Sequence, residues 1–258
     1  MISWLLVIIL AYLFFGLGSF FDKLVLAGKP RPNSYVFYAG LAGLGVLIFL
    51  PFIKLGLPNA QGFLWIILDA TVRVAGLYLM YVAIEKFEVS KVIATIGAAQ
   101  PIFIFIFTFL FLGQQIMPVS YIFAFILLVV GSAIISIEKT PKLTGDYIKI
   151  TMLASLMFSL DYVFAKLVFM NQTFLPGIVW IGLFVSLIVL LFLIPKKSRQ
   201  EIFSKKMVLN KKTQKSFLCA QGCGSAANFL QGFAIFLAPV AFLPIINSLR
   251  GAQYIFLF

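Results

Sequence analysis

Apolar runs of about 20 residues follow one another along almost the whole chain. A helix of about this length crosses a bilayer, whereas a membrane-spanning strand needs only about 10 residues of alternating polarity. Backbone groups in lipid must bond within their own segment, and these runs do not alternate, so we expect helices. We therefore predict an all-α, polytopic integral membrane protein with nine spans at residues 2–26, 35–57, 62–85, 90–113, 118–137, 147–170, 174–194, 216–238 and 240–258.

The chain contains an internal duplication. A shift of 143 positions without a gap lays residues 10–50 on residues 153–193, with 15 identities in 41 places. The matched run Lys23-Leu24-Val25 and Lys166-Leu167-Val168 is the longest of them. A shift of 151 continues the match, placing Ala83-Ile84 on Ala234-Ile235. We predict a first five-helix repeat at 1–138, a connecting loop at 139–146 and a second repeat at 147–258.

An odd number of helices per copy makes the second copy enter the membrane from the opposite side. The two repeats are therefore expected to be inverted, an arrangement that many secondary transporters use for alternating access. Under the 151-residue shift Phe258 falls on Phe107, so we expect the ninth helix to be incomplete and the tenth to be absent.

The net charge of +12 is concentrated in a few loops. Eight Lys or Arg residues lie between Pro195 and Ser216, and most of the others lie in loops on the same predicted side. The positive-inside rule places these loops in the cytoplasm and the amino terminus outside. Anionic lipid head groups account for the basic loops without a nucleic-acid partner. We expect a multi-pass protein of a bacterial or archaeal plasma membrane.

Several classes of chemistry lack candidate residues. The chain has no His and only two Cys, Cys219 and Cys223, which lie four apart on one predicted helix. No metal site and no cofactor are expected. A membrane enzyme acting on lipid-linked substrates is an alternative, but the chain has no Gly-rich phosphate loop, no Gly-x-Ser-x-Gly turn and no paired carboxylates at hydrolase spacing.

The third to fifth spans carry a family resemblance. Ala83-Ile84 through Val89-Ser90, Ala98-Ala99-Gln100-Pro101 to Phe111-Leu112-Gly113-Gln114, and Pro118 resemble the EamA-type unit of the drug/metabolite transporter superfamily. The duplicated five-helix unit is similar to the ten-helix architecture of that superfamily, and the resemblance covers essentially the whole chain. Gln114 stands where the family commonly has an acidic residue. The resemblance implies a transporter and leaves the substrate open.

Polar residues within spans are the candidate substrate ligands, because their burial in lipid is costly. The eighth span has a polar face at three- and four-residue spacing that includes Gln221, Asn228 and Gln231. We interpret this face as cavity lining, with interhelical hydrogen bonding and small-residue packing as the alternative. The ninth span adds Asn247 and Arg250, whose guanidinium suits an anionic substrate group.

The first span carries a second polar face, and the duplication repeats it. Tyr12, Gly16, Ser19 and Lys23 fall on Ser155, Ser159, Tyr162 and Lys166 under the 143-residue shift. Of these, Ser19 and Tyr162 are predicted substrate contacts, together with Tyr81 of the third span. The two lysines lie near span ends, where either substrate contact or snorkelling to the interface is open.

Two carboxylates lie well inside spans. Arg73 follows Asp69 by four residues, which predicts a structural ion pair within one helix. Asp161 has no basic residue three or four positions further along its helix and is the first choice for a proton-coupling carboxylate, with Asp69 the second.

Together these features predict a secondary-active transporter of small metabolites or drugs that alternates access between inverted repeats. Its expected partners are a small-molecule substrate, the lipid bilayer and protons, and its oligomeric state is open. A non-transporting membrane accessory protein is the main alternative.

Overall fold

The computed structural model describes residues 3–26, 31–113, 122–123, 125–127, 130–131, 144–203 and 211–249. The first half contains α1 (Ser3–Leu26), α2 (Pro32–Leu41), α3 (Ala60–Lys86) and α4 (Val89–Leu112). A 3₁₀ helix, Ala42–Phe52, continues α2. Most of the predicted fifth span, 118–137, lies outside the described residues.

The second half contains α5 (Gly145–Asn171), α6 (Phe174–Leu190), α7 (Lys196–Ile202), α8 (Lys211–Leu237) and α9 (Leu243–Ser248). Short 3₁₀ helices, Leu191–Leu193 and Val240–Phe242, follow α6 and precede α9. Every described element is helical, which confirms the predicted all-α class.

Six of the described helical segments are long and apolar enough to cross a membrane: Trp4–Asp22, Pro32–Phe52, Ala60–Lys86, Val89–Leu112, Gly145–Asn171 and Phe174–Leu193. Large apolar side chains cover much of their outer surface, for example Leu6, Ile48 and Leu110, each more than 60 % exposed. Lipid tolerates such a surface and water does not. The polar face of α8 keeps that 27-residue helix out of this set.

The span predicted at 35–57 differs from a single α-helix. It is α-helical only to Leu41 and then winds as a 3₁₀ helix to Phe52. Glycines at 43 and 45 disfavour the α-helix at this point, and close packing on α6 fixes the tighter winding. A Cβ atom added to Gly182 of α6 would lie 2.8 Å from the carbonyl oxygen of Gly43.

The end of α3 and the starts of α4 and α5 meet at one end of the bundle and carry Lys86, Lys91 and Lys149, so we call it the basic end. Here Asp22 near the end of α1 accepts a hydrogen bond from Tyr35 near the start of α2. Tyr147 at the start of α5 donates a hydrogen bond to the backbone carbonyl of Lys91 at the start of α4. Tyr35 also packs on Tyr81 near the end of α3, and Phe87 directly after α3 packs on Tyr147. Helix α1 therefore ends at the end of the bundle where α5 begins, so the two helices that the 143-residue shift equates run in opposite directions.

Helices of one half pack on helices of the other half in equivalent pairs. Helix α1 packs along α8, and α3 packs along α5. Since the two shifts equate α1 with α5 and α3 with α8, each contact is the counterpart of the other. Helices α2 and α6, also equated, pack on each other. Such equivalent pairs are typical of two copies of one unit arranged about a two-fold axis.

Candidate functional site

Three charged side chains meet between α3 and α5, inside membrane-spanning segments. Arg73 Nη2 lies 2.9 Å from Asp161 Oδ1 and 3.5 Å from Asp69 Oδ2. Asp69 is fully buried and Asp161 is 7 % exposed. The i, i+4 contact between Asp69 and Arg73 was predicted from the sequence, but the shorter contact is the one that crosses to α5.

No basic residue follows Asp161 at helical spacing on α5, as the sequence indicates, but Asp161 has a cationic neighbour from another helix. Arg73 reaches it from α3, a helix 88 residues earlier in the chain. One guanidinium thus faces two carboxyl groups in a buried setting. Removing an uncompensated carboxylate from water is costly, so the guanidinium of Arg73 is what stabilises the two carboxyl groups in this setting. The carboxyl oxygens of Asp69 have no hydrogen-bond partner among the described residues.

A second buried group joins four helical segments through hydrogen bonds. The hydroxyls of Tyr12 on α1 and Tyr162 on α5 lie 2.9 Å apart. Tyr12 also donates to the backbone carbonyl of Ile246 on α9, at 2.9 Å. Gln231 on α8 donates its side-chain amide to the Tyr162 hydroxyl. We call Tyr12, Tyr162 and Gln231 the tyrosine network. It connects the first helix of each half with two further helices of the second half.

Two serines of α5 hold that helix against α4. Ser155 and Ser159 each donate to the carbonyl four residues earlier on α5, at 2.8 and 2.7 Å. Ser159 Oγ also lies 3.1 Å from the carbonyl oxygen of Gln100, next to Pro101 on α4. This bond ties the carbonyl of Gln100 to α5 at the point where Pro101 interrupts the hydrogen-bond ladder of α4. These serines pack helices together rather than line a cavity.

Lys166 neither snorkels to the interface nor stands free for a substrate. Its side chain is 7 % exposed, and its ammonium group donates to three backbone carbonyls at the end of α8: Ile235 at 2.9 Å, Phe236 at 3.2 Å and Ala238 at 2.6 Å. The last carbonyls of a helix lack intrahelical partners and carry partial negative charge. Lys166 therefore caps α8 from α5.

The sequence model that describes the EamA-like transporter family matches residues 2–137, more than half of the 258-residue chain. The chain belongs to this family. It is accordingly an integral, multi-pass membrane protein of the drug/metabolite transporter type. No curated protein matches the chain significantly.

The remaining predicted ligands of this EamA-like transporter are dispersed. Asn247 on α9 is fully buried, and neither Nδ2 nor Oδ1 of its side chain has a hydrogen-bond partner among the described residues. Asn228 is exposed and donates to the Gly224 carbonyl of its own helix, at 2.8 Å. Gln221 and Ser19 are half-buried. Arg250 lies outside the described residues.

Tyr81 lies near the basic end, away from the tyrosine network. Its ring packs on Tyr35 with centroids 4.3 Å apart, and Tyr35 donates to the carboxylate of Asp22. Sequence reasoning did not select Asp22. Asp22 lies within the predicted span 2–26 but close to its end, whereas the selected carboxylates were those well inside spans.

Proposed function

We propose that this EamA-like protein is a proton-coupled secondary transporter of small organic metabolites or drugs. The observation that carries the proposal is the buried contact of Arg73 with Asp161 between α3 and α5. Charged side chains within spans are rare and mark substrate or ion pathways. This contact joins one helix of each half, at the boundary where alternating access requires movement.

The packing of α2 on α6 supports a movement between the halves. At this contact Gly43 and Gly182 bring the backbones together, and Ser186 Oγ donates to the Gly40 carbonyl at 3.0 Å. Val189 packs against Gly40, and Val46 packs against Gly182. These reciprocal contacts between equated helices allow one half to rotate on the other without separating side chains.

Asp161 and Asp69 carry the proton in this proposal. When both carboxyl groups are ionised, Arg73 is attracted to both and holds α3 against α5. A proton on Asp161 removes the shorter attraction and leaves Arg73 with Asp69 on its own helix. Contact between α3 and α5 is then weaker, so proton binding and opening of the halves are coupled.

The substrate binds at the tyrosine network and Asn247. Two hydroxyls, a glutamine amide and an asparagine amide without a described partner supply donors and acceptors in otherwise apolar surroundings. Such a set suits an uncharged polar group on an apolar molecule. The basic end faces the cytoplasm, following the charge of its loops.

The experiment is solute-dependent proton movement in liposomes that contain the purified protein and a pH-sensitive dye. Amino acids, nucleosides, sugars and lipophilic cations are added outside, one at a time. At least one is expected to change the internal pH. Asp161→Asn should abolish this change while exchange of the same radiolabelled solute continues, and the exposed Asp146→Asn on the same helix should behave as the unaltered protein.

Two results would count against the proposal. Proton movement that persists in both Asp161→Asn and Asp69→Asn would remove the carboxyl groups from coupling. A complete panel without flux, in protein that is folded by its thermal unfolding curve, would instead favour the accessory role.

A further inference from the structure

A cavity of about 870 Å³ lies at the basic end, separate from the charged group at Arg73. Its walls come from both halves: the start of α2 and the end of α3 on one side, the end of α6 and α7 on the other. Its volume is in the range of sites that bind small molecules. Glu85 in its wall follows Arg73 by 12 residues, which is about 18 Å along α3.

One ion pair in the cavity wall is already satisfied. Arg31 Nη1 lies 3.2 Å from Glu201 Oε1, and Asn33 donates its side-chain amide to Glu201 Oε2 at 2.6 Å. Ser34 also donates to the backbone carbonyl of Glu201, at 2.9 Å. These bonds attach α7 to the start of α2 and leave no net charge from Arg31 and Glu201.

Two further charges in the wall are not paired. Glu85 on α3 and Lys197 on α7 are exposed, and neither forms an ion pair with any described residue. Beside Lys197, the hydroxyl of Ser198 is buried in a residue only 7 % exposed and has no hydrogen-bond partner in the described part of the chain. A polar atom buried in this way costs free energy unless a hydrogen-bond partner satisfies it, and a bound ligand can supply one.

An apolar surface completes the cavity. The rings of Tyr78 on α3 and Phe192 after α6 lie 5.8 Å apart between centroids. Leu191 and Val82 extend this surface. A ligand here meets an unpaired carboxylate, an unpaired ammonium group with a hydroxyl beside it, and an aromatic wall.

We propose that this cavity binds a small zwitterion, with its acid group at Lys197 and Ser198, its ammonium group at Glu85 and its apolar part on Tyr78 and Phe192. A simple anion would leave Glu85 facing it, and a simple cation would face Lys197. Only a ligand with both charges satisfies both side chains. The same chemistry is found in free amino acids and in the ethanolamine head group of a phospholipid.

Binding to the full-length protein in a non-ionic detergent tests this site without any assay of transport. The probes are L-leucine, N-acetyl-leucine, which lacks the ammonium group, and leucinol, which lacks the acid group. Calorimetry should show each analogue binding about tenfold more weakly than leucine, since each loses one charged contact. Equal binding of all three would overturn the proposal.

Variants assign the two charges. Glu85→Gln should make leucine and N-acetyl-leucine bind equally, and Lys197→Met should do the same for leucine and leucinol. Lys196→Met, an exposed neighbour outside the cavity wall, should leave all three affinities unchanged. These three positions are at the surface and are not expected to prevent folding. Unaltered selectivity in both cavity variants would place the ligand elsewhere.

The two sources of the zwitterion are separated by a second pair of probes. Phosphoethanolamine in solution, and vesicles containing phosphatidylethanolamine in place of phosphatidylcholine, present the lipid chemistry. Phosphatidylcholine has no N–H group to donate to Glu85. Thermal stabilisation by these two but not by leucine assigns the cavity to a head group, and stabilisation by leucine alone assigns it to a free zwitterion. Stabilisation by neither would refute the site.

Discussion

The hydroxyl of Tyr12 lies 2.9 Å from that of Tyr162, although the duplication does not equate the two residues. Under the 143-residue shift Tyr12 corresponds to Ser155 and Tyr162 to Ser19. The duplication thus makes α1 and α5 counterparts of each other, but Tyr12 and Tyr162, which meet between these helices, are not counterparts. The tyrosine network is therefore not part of the repeated sequence pattern.

Tyr162→Phe should lower the transport rate by more than its effect on the stability of the protein explains. The change removes both the partner of Tyr12 and the acceptor of Gln231, at a cost of about 1–3 kcal/mol in the free energy of unfolding. Initial flux rates and thermal unfolding midpoints measure the two effects. Tyr38→Phe is the matched control, because the Tyr38 hydroxyl makes only a 3.5 Å contact with the Ile202 carbonyl. Equal losses of flux in both variants would argue against the network.

Lys166→Met should destabilise the protein. Three carbonyls at the end of α8 would lose a charged donor, and the free energy of unfolding should fall by about 2–3 kcal/mol. The thermal midpoint should therefore drop by several degrees. Lys149→Met removes an exposed lysine from the same helix and should have no such effect. A midpoint that is unchanged in Lys166→Met would mean that water replaces the ammonium group.

Gly40→Ala should be destabilising, and Val189→Ala should relieve it. The nearest atoms to a Cβ at position 40 all belong to the Val189 side chain, so shortening that side chain makes room. Unfolding of both single variants and the double variant forms a cycle, with an expected coupling of about 1 kcal/mol or more. Gly45→Ala, where a Cβ meets no atom within 4 Å, is the control. Additive effects would show that the strain is in the backbone.

Arg73→Leu should be among the most destabilising single changes in the membrane region. It leaves two buried carboxyl groups without their cation, at a cost of about 3–5 kcal/mol. Arg73→Leu with Asp161→Leu should recover part of the loss, because one uncompensated carboxyl group is removed as well. The partly exposed pair of Lys91 and Glu88, 2.9 Å apart, gives the comparison, since the Glu88 side chain is 60 % exposed: Lys91→Met should cost about 1 kcal/mol or less. Chemical unfolding curves measure all three.

Hydrophobic runs alone placed most of the spans. The predictions for α3, α4, α5 and the start of α6 agree with the structure to within two residues. The signal is strong because a bilayer imposes both a length and an apolar surface on each helix. Helix α7 was not predicted, since seven residues with four charges in a basic loop carry no such signal.

The sequence pattern did not predict which helices contact each other. The spacing of Asp69 and Arg73 revealed a pair within one turn, whereas the pairing of Arg73 with Asp161 depends on how α3 rotates against α5. Helical periodicity identifies a face but not the neighbour that covers it. The same limit applied to Lys166, for which the sequence left substrate contact and snorkelling open, because its contact with the end of α8 depends on the packing of α5 and α8.

Asp161, Tyr162 and Lys166 occupy little more than one turn of α5, and they contact α3, α1 and the end of α8 respectively. In the proposed mechanism, a small axial displacement of this part of α5 would change the protonation site, the substrate contacts and the cap of α8 together. The proposed coupling between ion and solute would then need no relay over a long distance, because the three events share one segment and would occur in the same step.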